Sequence, residues 1–228
     1  ADADASLYGL GQHENGVFDY NNQTEYLYQN NMIIALPFLL SSENYGILRD
    51  IAPDAVFQAR DGAFAFSLDT VDALSYYVII GDGFDEIIAA LRGLTGKAVM
   101  PPRWAFGYIQ SKERYQNAAE LVETVSRFRR EGIPLDGIVQ DWCTWEEGHW
   151  GEKRPDALRY PDLPALLDAL HERHARLMVS VWPNMARESA DYGEFASKGL
   201  LLAGSLVYNA FDESARALYW EQCRRHWF

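Results

Sequence analysis

The feature that most constrains this chain is the change of pattern across Met100-Pro101-Pro102. Two consecutive prolines lack the amide hydrogens that a helix or a sheet ladder needs, so neither regular element can run through this point. On its N-terminal side, from Leu7 to about Ile80, short apolar runs rich in aromatic and β-branched residues are punctuated by Gly, Asn, Asp and Ser. Residues 32–35, 37–41, 45–48, 55–58, 63–67 and 74–80 read as strands with no convincing helix between them, the pattern of an antiparallel sheet or β-sandwich. Residues 84–94 then show helical spacing, and Gly96 follows as a stop signal.

Beyond the prolines, strand and helix alternate. Residues 104–109 read as an apolar strand, and 118–130 as a helix with Leu121, Val122, Val125 and Phe128 on one face. A second strand is expected over 135–140 and a third over 176–182, nearly all apolar as strands covered on both faces tend to be. Between them 164–174 reads as a helix opened by Asp162 as cap and Pro164 in the first turn. Further helices are expected over 191–198 and 214–228. The succession is that of a parallel sheet with helical crossovers. The expected division is therefore a β-sandwich part over 1–81, a helical connector over 82–102 and an α/β part over 103–228.

Three strands cannot close a barrel, so the second part is either a small open sheet or the beginning of a larger barrel. No G-x-G-x-x-G or Walker loop follows any strand, which disfavours a nucleotide-binding open sheet. The chain opens at Ala1 rather than Met and stops at Trp227-Phe228 inside a helical pattern, so a piece of a longer protein is expected.

With 33 acidic against 20 basic residues, the formal net charge of −13 repels phosphate backbones and anionic membrane surfaces. No nucleic acid or membrane partner is expected, a neutral or cationic small molecule suits the chain better, and assembly into a homo-oligomer stays open. Cys143 and Cys223 have no CxxC or His/Cys ligand spacing, so neither a metal site nor a disulfide framework is indicated, and no cofactor is expected. No apolar run approaches the ~18 residues of a membrane helix, and the N-terminus lacks the layout of a signal peptide. A cytoplasmic location is the default expectation.

In parallel α/β architectures the reacting groups gather at the carboxyl ends of the strands. The second expected strand ends in Asp141-Trp142-Cys143-Thr144-Trp145, and the third in Trp182-Pro183-Asn184. An aspartate accepts hydrogen bonds from vicinal hydroxyls, and an indole face covers the apolar C–H face of a pyranose. Those residue types suit a sugar pocket. Blander readings stand beside it: Asp141 as a helix or turn cap, Trp145 and Trp150 as loop anchors, Trp182 as core, His149 as structural or solvated, and Glu146-Glu147 as a solvated loop.

The ordered series Tyr8-Gly9-Leu10-Gly11-Gln12, Pro37-Phe38-Leu39-Leu40-Ser41-Ser42-Glu43-Asn44-Tyr45-Gly46, Leu94-Thr95-Gly96, Met100-Pro101-Pro102-Arg103-Trp104-Ala105-Phe106-Gly107-Tyr108, Ile133-Pro134-Leu135-Asp136 leading to Asp141, Tyr160-Pro161-Asp162 and Val179-Ser180-Val181-Trp182-Pro183 resembles glycoside hydrolase family 31. The resemblance implies a β-sandwich followed by the first three strand–helix units of a truncated (β/α)8 TIM barrel. It also implies retaining hydrolysis of terminal α-glycosidic bonds, chiefly α-glucosides and α-xylosides, so that an α-linked oligosaccharide or glycoside is the expected partner.

By motif position, Asp141 matches the family's substrate-binding aspartate and Trp182 its tryptophan after the third strand. Gln12, His13 and Glu14 match the N-terminal loop that reaches the pocket. Trp142, Cys143 and Trp145 join the substrate-binding set, in a loop that resembles the aromatic-rich loops of the α-xylosidase branch. Trp142 or Cys143 would supply the bulk that excludes a C6 hydroxymethyl. No catalytic residue is assigned, since the family's nucleophile and acid/base come from later strands and are expected beyond Phe228. The 228-residue polypeptide alone is therefore expected to be inactive, and poorly stable because its last strand leaves an apolar edge unpaired. The rival from another class is a non-catalytic carbohydrate-binding protein that uses the same aspartate and tryptophans.

Overall fold

The structure, a computed structural model, describes residues 4–51 and 54–228. It divides into two compact units, Ala1–Val99 and Met100–Phe228. The first unit contains strands β1 (Leu7–Gln12), β2 (Thr24–Leu27), β3 (Ile34–Ser41), β4 (Tyr45–Arg49), β5 (Ala55–Arg60), β6 (Ala63–Leu68) and β7 (Tyr76–Ile80). They form two antiparallel sheets, ordered β1-β3-β4-β7 and β2-β5-β6. Along β5 the buried positions alternate at Ala55, Phe57 and Ala59, as a strand with one covered face requires. Leu7, Leu10 and Leu39 of one sheet meet Leu27 and Phe57 of the other in a single core with Tyr20, so the two sheets form a sandwich.

Two of these strands, β1 and β2, lie outside the expected set, and β3 runs unbroken through Pro37. The register explains the last point. Gly9 pairs with Leu39 and Gly11 with Ala35, so β3 carries extra residues around Pro37 where the ladder is interrupted. A proline is tolerated at such a bulge because no ladder donor is required there. Gly11 has φ +110, and a Cβ on it would fall 1.8 Å from the carbonyl oxygen of Ile34, so only glycine fits.

Helix α1 (Phe84–Thr95) packs Ile87, which is fully buried, against β4 and β7. The stretch expected as a connector thus gives its helix to the first unit.

The second unit alternates β8 (Ile109–Gln110), α2 (Ala118–Arg130), β9 (Gly137–Gln140), α3 (Leu163–Glu172) and β10 (Arg176–Val179), followed by α4 (Ala190–Ser197) and α5 (Glu213–Trp227). The three strands are parallel and ordered β10-β9-β8; among the described residues they do not close into a barrel. Leu121 and Val125 of α2, Leu166 and Leu170 of α3 and Ile138 of β9 share the core. Asp162 caps α3, accepting from the Ala165 N–H at 2.9 Å, with proline in the first turn as expected.

The strand expected over 104–109 is instead a 3₁₀ turn, Arg103–Phe106, and pairing begins only at Ile109 opposite Gly137. The third strand likewise stops at Val179 rather than at Trp182. At the amino-terminal end of the sheet Arg129 ties the elements together: its Nε donates to the Arg173 carbonyl at 2.8 Å, and its Nη2 to those of Leu135 at 2.6 Å and His174 at 3.1 Å.

Candidate functional site

The carboxyl end of β9 is organised by Gln140, whose side chain is 1% exposed. Its amide nitrogen is shared among the carbonyls of Tyr115 and Asp141, both at 3.3 Å, and Trp142 at 3.4 Å. Beyond it Trp142 and Cys143 both adopt left-handed backbone, with φ of 51° and 54°. Non-glycine residues rarely do so, and two in succession turn the chain sharply away from the strand direction. Arg159 holds that turn from the far side of the loop: Nη1 donates to the Cys143 carbonyl at 2.7 Å, Nη2 donates to the Trp145 carbonyl, and Nε pairs with Asp156 at 2.9 Å. The hydrogen bond from Arg159 keeps the Asp156 carboxyl below the usual carboxylate range. Asp156 returns a backbone hydrogen bond to the Thr144 carbonyl at 2.8 Å.

Asp141 sits at this strand end, half-buried, and its carboxylate has no hydrogen bond or ion pair among the described residues. The cap reading of this aspartate therefore finds no N–H to cap. Beyond it the aromatic side chains of the loops after β9 and β10 converge on one another. The Trp150 ring lies 5.7 Å from Trp142, 5.6 Å from Trp145 and 5.2 Å from Trp182, and Trp145 meets Trp182 edge-on at 6.5 Å. Such tilted and edge-to-face contacts suit the ring quadrupole. Trp145 is buried while Trp150 remains 37% exposed, so the cluster presents one indole outward. The indole nitrogens of Trp142 and Trp182 are buried without a partner among the described residues. Arg114 lies 5.6 Å from the Trp142 ring.

The loop after β9 is pressed against the segment after β10. Gly151 has φ +76, and a Cβ on it would lie 1.9 Å from the Asn184 carbonyl oxygen. The Ala186 N–H donates to the Trp150 carbonyl at 2.7 Å. Lys153 fills the seam, 1% exposed, with Nζ donating to the carbonyls of Gly151 and Trp182, both at 2.9 Å. Its ammonium lies 4.5 Å from the Tyr219 ring, and the Tyr219 hydroxyl donates to the same Trp182 carbonyl at 3.1 Å. Burial pulls the lysine down to about 8, against the opposing charges of Asp191, Cys223 and Glu152.

The sequence-predicted residues thus fall into two groups. Asp141, Trp142, Cys143, Trp145 and Trp182 come together at adjacent strand ends in the second unit. Gln12 and Glu14 are exposed around the end of β1 in the first unit, where the intervening His13 is anchored through Nε2 to the Leu10 carbonyl at 3.1 Å. His149 pairs with Glu152 at 2.7 Å, while Glu146 and Glu147 are exposed loop residues. Sequence reasoning missed the hub position of Trp150 and the roles of Lys153 and Arg159. The density of tryptophan over 142–150 signals the first, whereas nothing in the local pattern marks a lysine for burial.

The family model described as "Glycosyl hydrolases family 31 TIM-barrel domain" matches residues 98–228. An α-xylosidase of Saccharolobus solfataricus is 35% identical over 94% of this chain and 30% of its own length. Alpha-xylosidase A of Aspergillus niger is 25% identical over 100% of this chain and 33% of its own. The crystal structure of a GH31 α-xylosidase from a soil metagenome, complexed with xylose, is similar with a TM-score of 0.86 at 28% identity, over 98% of this chain and 35% of that one. The chain spans about a third of the length of these relatives.

Proposed function

Because the chain belongs to glycoside hydrolase family 31, we propose that its full-length polypeptide hydrolyses terminal α-glycosidic bonds, α-xylosides before α-glucosides, and that this segment supplies substrate-binding residues. The observation that carries the reading is Asp141, a carboxylate without a protein partner among the described residues, at the strand end from which the loop carrying the clustered Trp142, Trp145 and Trp150 departs. A carboxylate in that state accepts hydrogen bonds from two vicinal hydroxyls, and charge-assisted bonds of this kind are the stronger ones. Trp142, Trp145 and Trp182 wall the sugar and exclude water, while Trp142 or Cys143 takes the space a C6 hydroxymethyl would need. Gln12 and Glu14, in the first unit, stay proposed substrate-binding residues by motif alone. The parallel sheet is read as the first three strand–helix units of a (β/α)8 barrel, whose active sites lie at this end. The preference for xylosides is supported by the α-xylosidase names of the relatives described above.

The proposed chemistry is a retaining double displacement. One carboxylate attacks the anomeric carbon while another protonates the leaving oxygen, and the second then takes a proton from the water that releases the sugar; the two groups stand about 5–5.5 Å apart. Neither role is given to a residue of this segment, since Asp141 is assigned to hydroxyl binding and both carboxylates are proposed to lie beyond Phe228. No metal or cofactor takes part in this scheme.

The test compares the 228-residue polypeptide with the full-length one on nitrophenyl α-xyloside, α-glucoside and α-galactoside. The full-length protein is expected to cleave the xyloside fastest, with retained anomeric configuration by NMR, and the shorter polypeptide none. Turnover by the shorter polypeptide would make Asp141, Glu146 and Glu147 catalytic suspects. Inverted product would discard the double displacement, and a full-length protein inert on all three would discard the activity.

A further inference from the structure

Lys153 is the most deeply buried cation of the second unit's loop seam, and its cost needs a reason. An ammonium has three donor directions, and here two go to the Gly151 and Trp182 carbonyls while the third side meets the Tyr219 ring. Its backbone N–H donates to Asp191 Oδ2 at 2.6 Å. An apolar side chain of the same length would avoid the desolvation cost but leave the Gly151 carbonyl without its donor. What the lysine adds is a pair of fixed carbonyls, on either side of the contact between the Trp150–Gly151 backbone and the Asn184–Ala186 backbone.

We infer that Lys153 is a positioning residue for the sugar platform: by pinning the carbonyl of Trp182 to that of Gly151, it keeps the Trp182 indole edge-on against Trp150 and Trp145. The link to sugar rests on the function proposed above; the link to indole geometry does not. The groups facing the ammonium are Asp191 from α4, Tyr219 and Cys223 from α5, and Glu152 from its own loop. Burial pushes the Cys223 thiol and the Tyr219 hydroxyl above their ordinary values of 9.0 and 10.0, so Lys153 is the first of the three to titrate as pH rises.

The test makes Lys153→Met and Trp182→Ala in the full-length polypeptide and measures kcat and KM on nitrophenyl α-xyloside, the near-UV circular dichroism of the indoles and thermal unfolding. Lys153→Met is expected to alter the indole band and to raise KM about tenfold with a smaller change in kcat, whatever its unfolding temperature. A purely structural lysine would lower the unfolding temperature while leaving KM and the indole band of the folded protein unchanged; that result overturns the inference. If Trp182→Ala raises KM and Lys153→Met leaves both KM and the indole band at wild type, positioning fails and the carbohydrate reading stands. If there is no turnover, or Trp182→Ala leaves KM untouched, the carbohydrate reading fails and the indole band of Lys153→Met alone decides positioning. Should Lys153→Met not fold, Lys153→Gln decides by the same readouts: an altered indole band with a raised KM supports the inference, and wild-type values of both overturn it.

Discussion

The two ends of the parallel sheet treat their polar groups in opposite ways. At the amino-terminal end Arg129, on α2, closes three carbonyls from two other segments into one network. At the carboxyl end the Asp141 carboxylate and the indole N–H groups of Trp142 and Trp182 are left without partners among the described residues. An unsatisfied buried polar group costs about 1–3 kcal/mol, so a fold keeps such groups where something other than stability is served. The difference separates a closed end from an open end within one sheet, and the open end is the one at which parallel α/β architectures place their chemistry.

The largest expected effect tests the closed end. Arg129→Ala should lower unfolding free energy in urea by about 1.5–3 kcal/mol, the range for hydrogen bonds from a charged group, while the folded protein keeps its wild-type behaviour toward methyl α-xyloside. A loss of sugar affinity in that variant would break the comparison. Asp141→Asn should do the opposite, weakening xyloside affinity about 10- to 100-fold by titration calorimetry, with stability within about 0.5 kcal/mol of wild type.

The buried lysine sharpens the contrast through pH. Its folded value lies below the ordinary 10.5, near 8, so the unfolded chain holds more protons between those values. Stability of the wild type relative to Lys153→Met should therefore be lowest below pH 8 and recover as pH rises from about 8 to 10.5, measured by urea unfolding across that window. The smallest effect is expected at a helix cap remote from the open end: Asp162→Ala should cost about 1 kcal/mol with no change in sugar binding.

Much of this arrangement is legible in the residues. The period of α2 and the Asp162 and Pro164 signature of α3 each make one local statement that the tertiary structure bears out, while the apolar run expected as a strand covered on both faces over 176–182 stops at Val179 and leaves Arg176 and Met178 exposed. β1 and β2 escape because Gly9, Gly11 and the polar Thr24-Glu25 dilute the β signal; their pairing comes from partners distant in sequence. Residues 104–109 mislead for a related reason: Gly107 lies so close to Asp136 that a Cβ would fall 1.8 Å from its carboxylate, a contact invisible to any window over the run. Asp141 follows the end of β9 as the sequence places it, whereas Trp182 lies three residues past the end of β10, where the expected strand runs too long. Lys153 and Arg159 are not legible, since their partners are backbone carbonyls whose positions only the folded loop defines.

The contact between Gly151 and Asn184 also bears on redesign. With no room for even one carbon between them, the loop that follows β9 and the segment that follows β10 behave as two halves of one mould. A graft of the loop alone from another enzyme, brought in to alter sugar preference, would collide with a host backbone shaped for a different insert. For the sugar binding proposed above, the two segments form one unit, and libraries meant to change it should diversify both together.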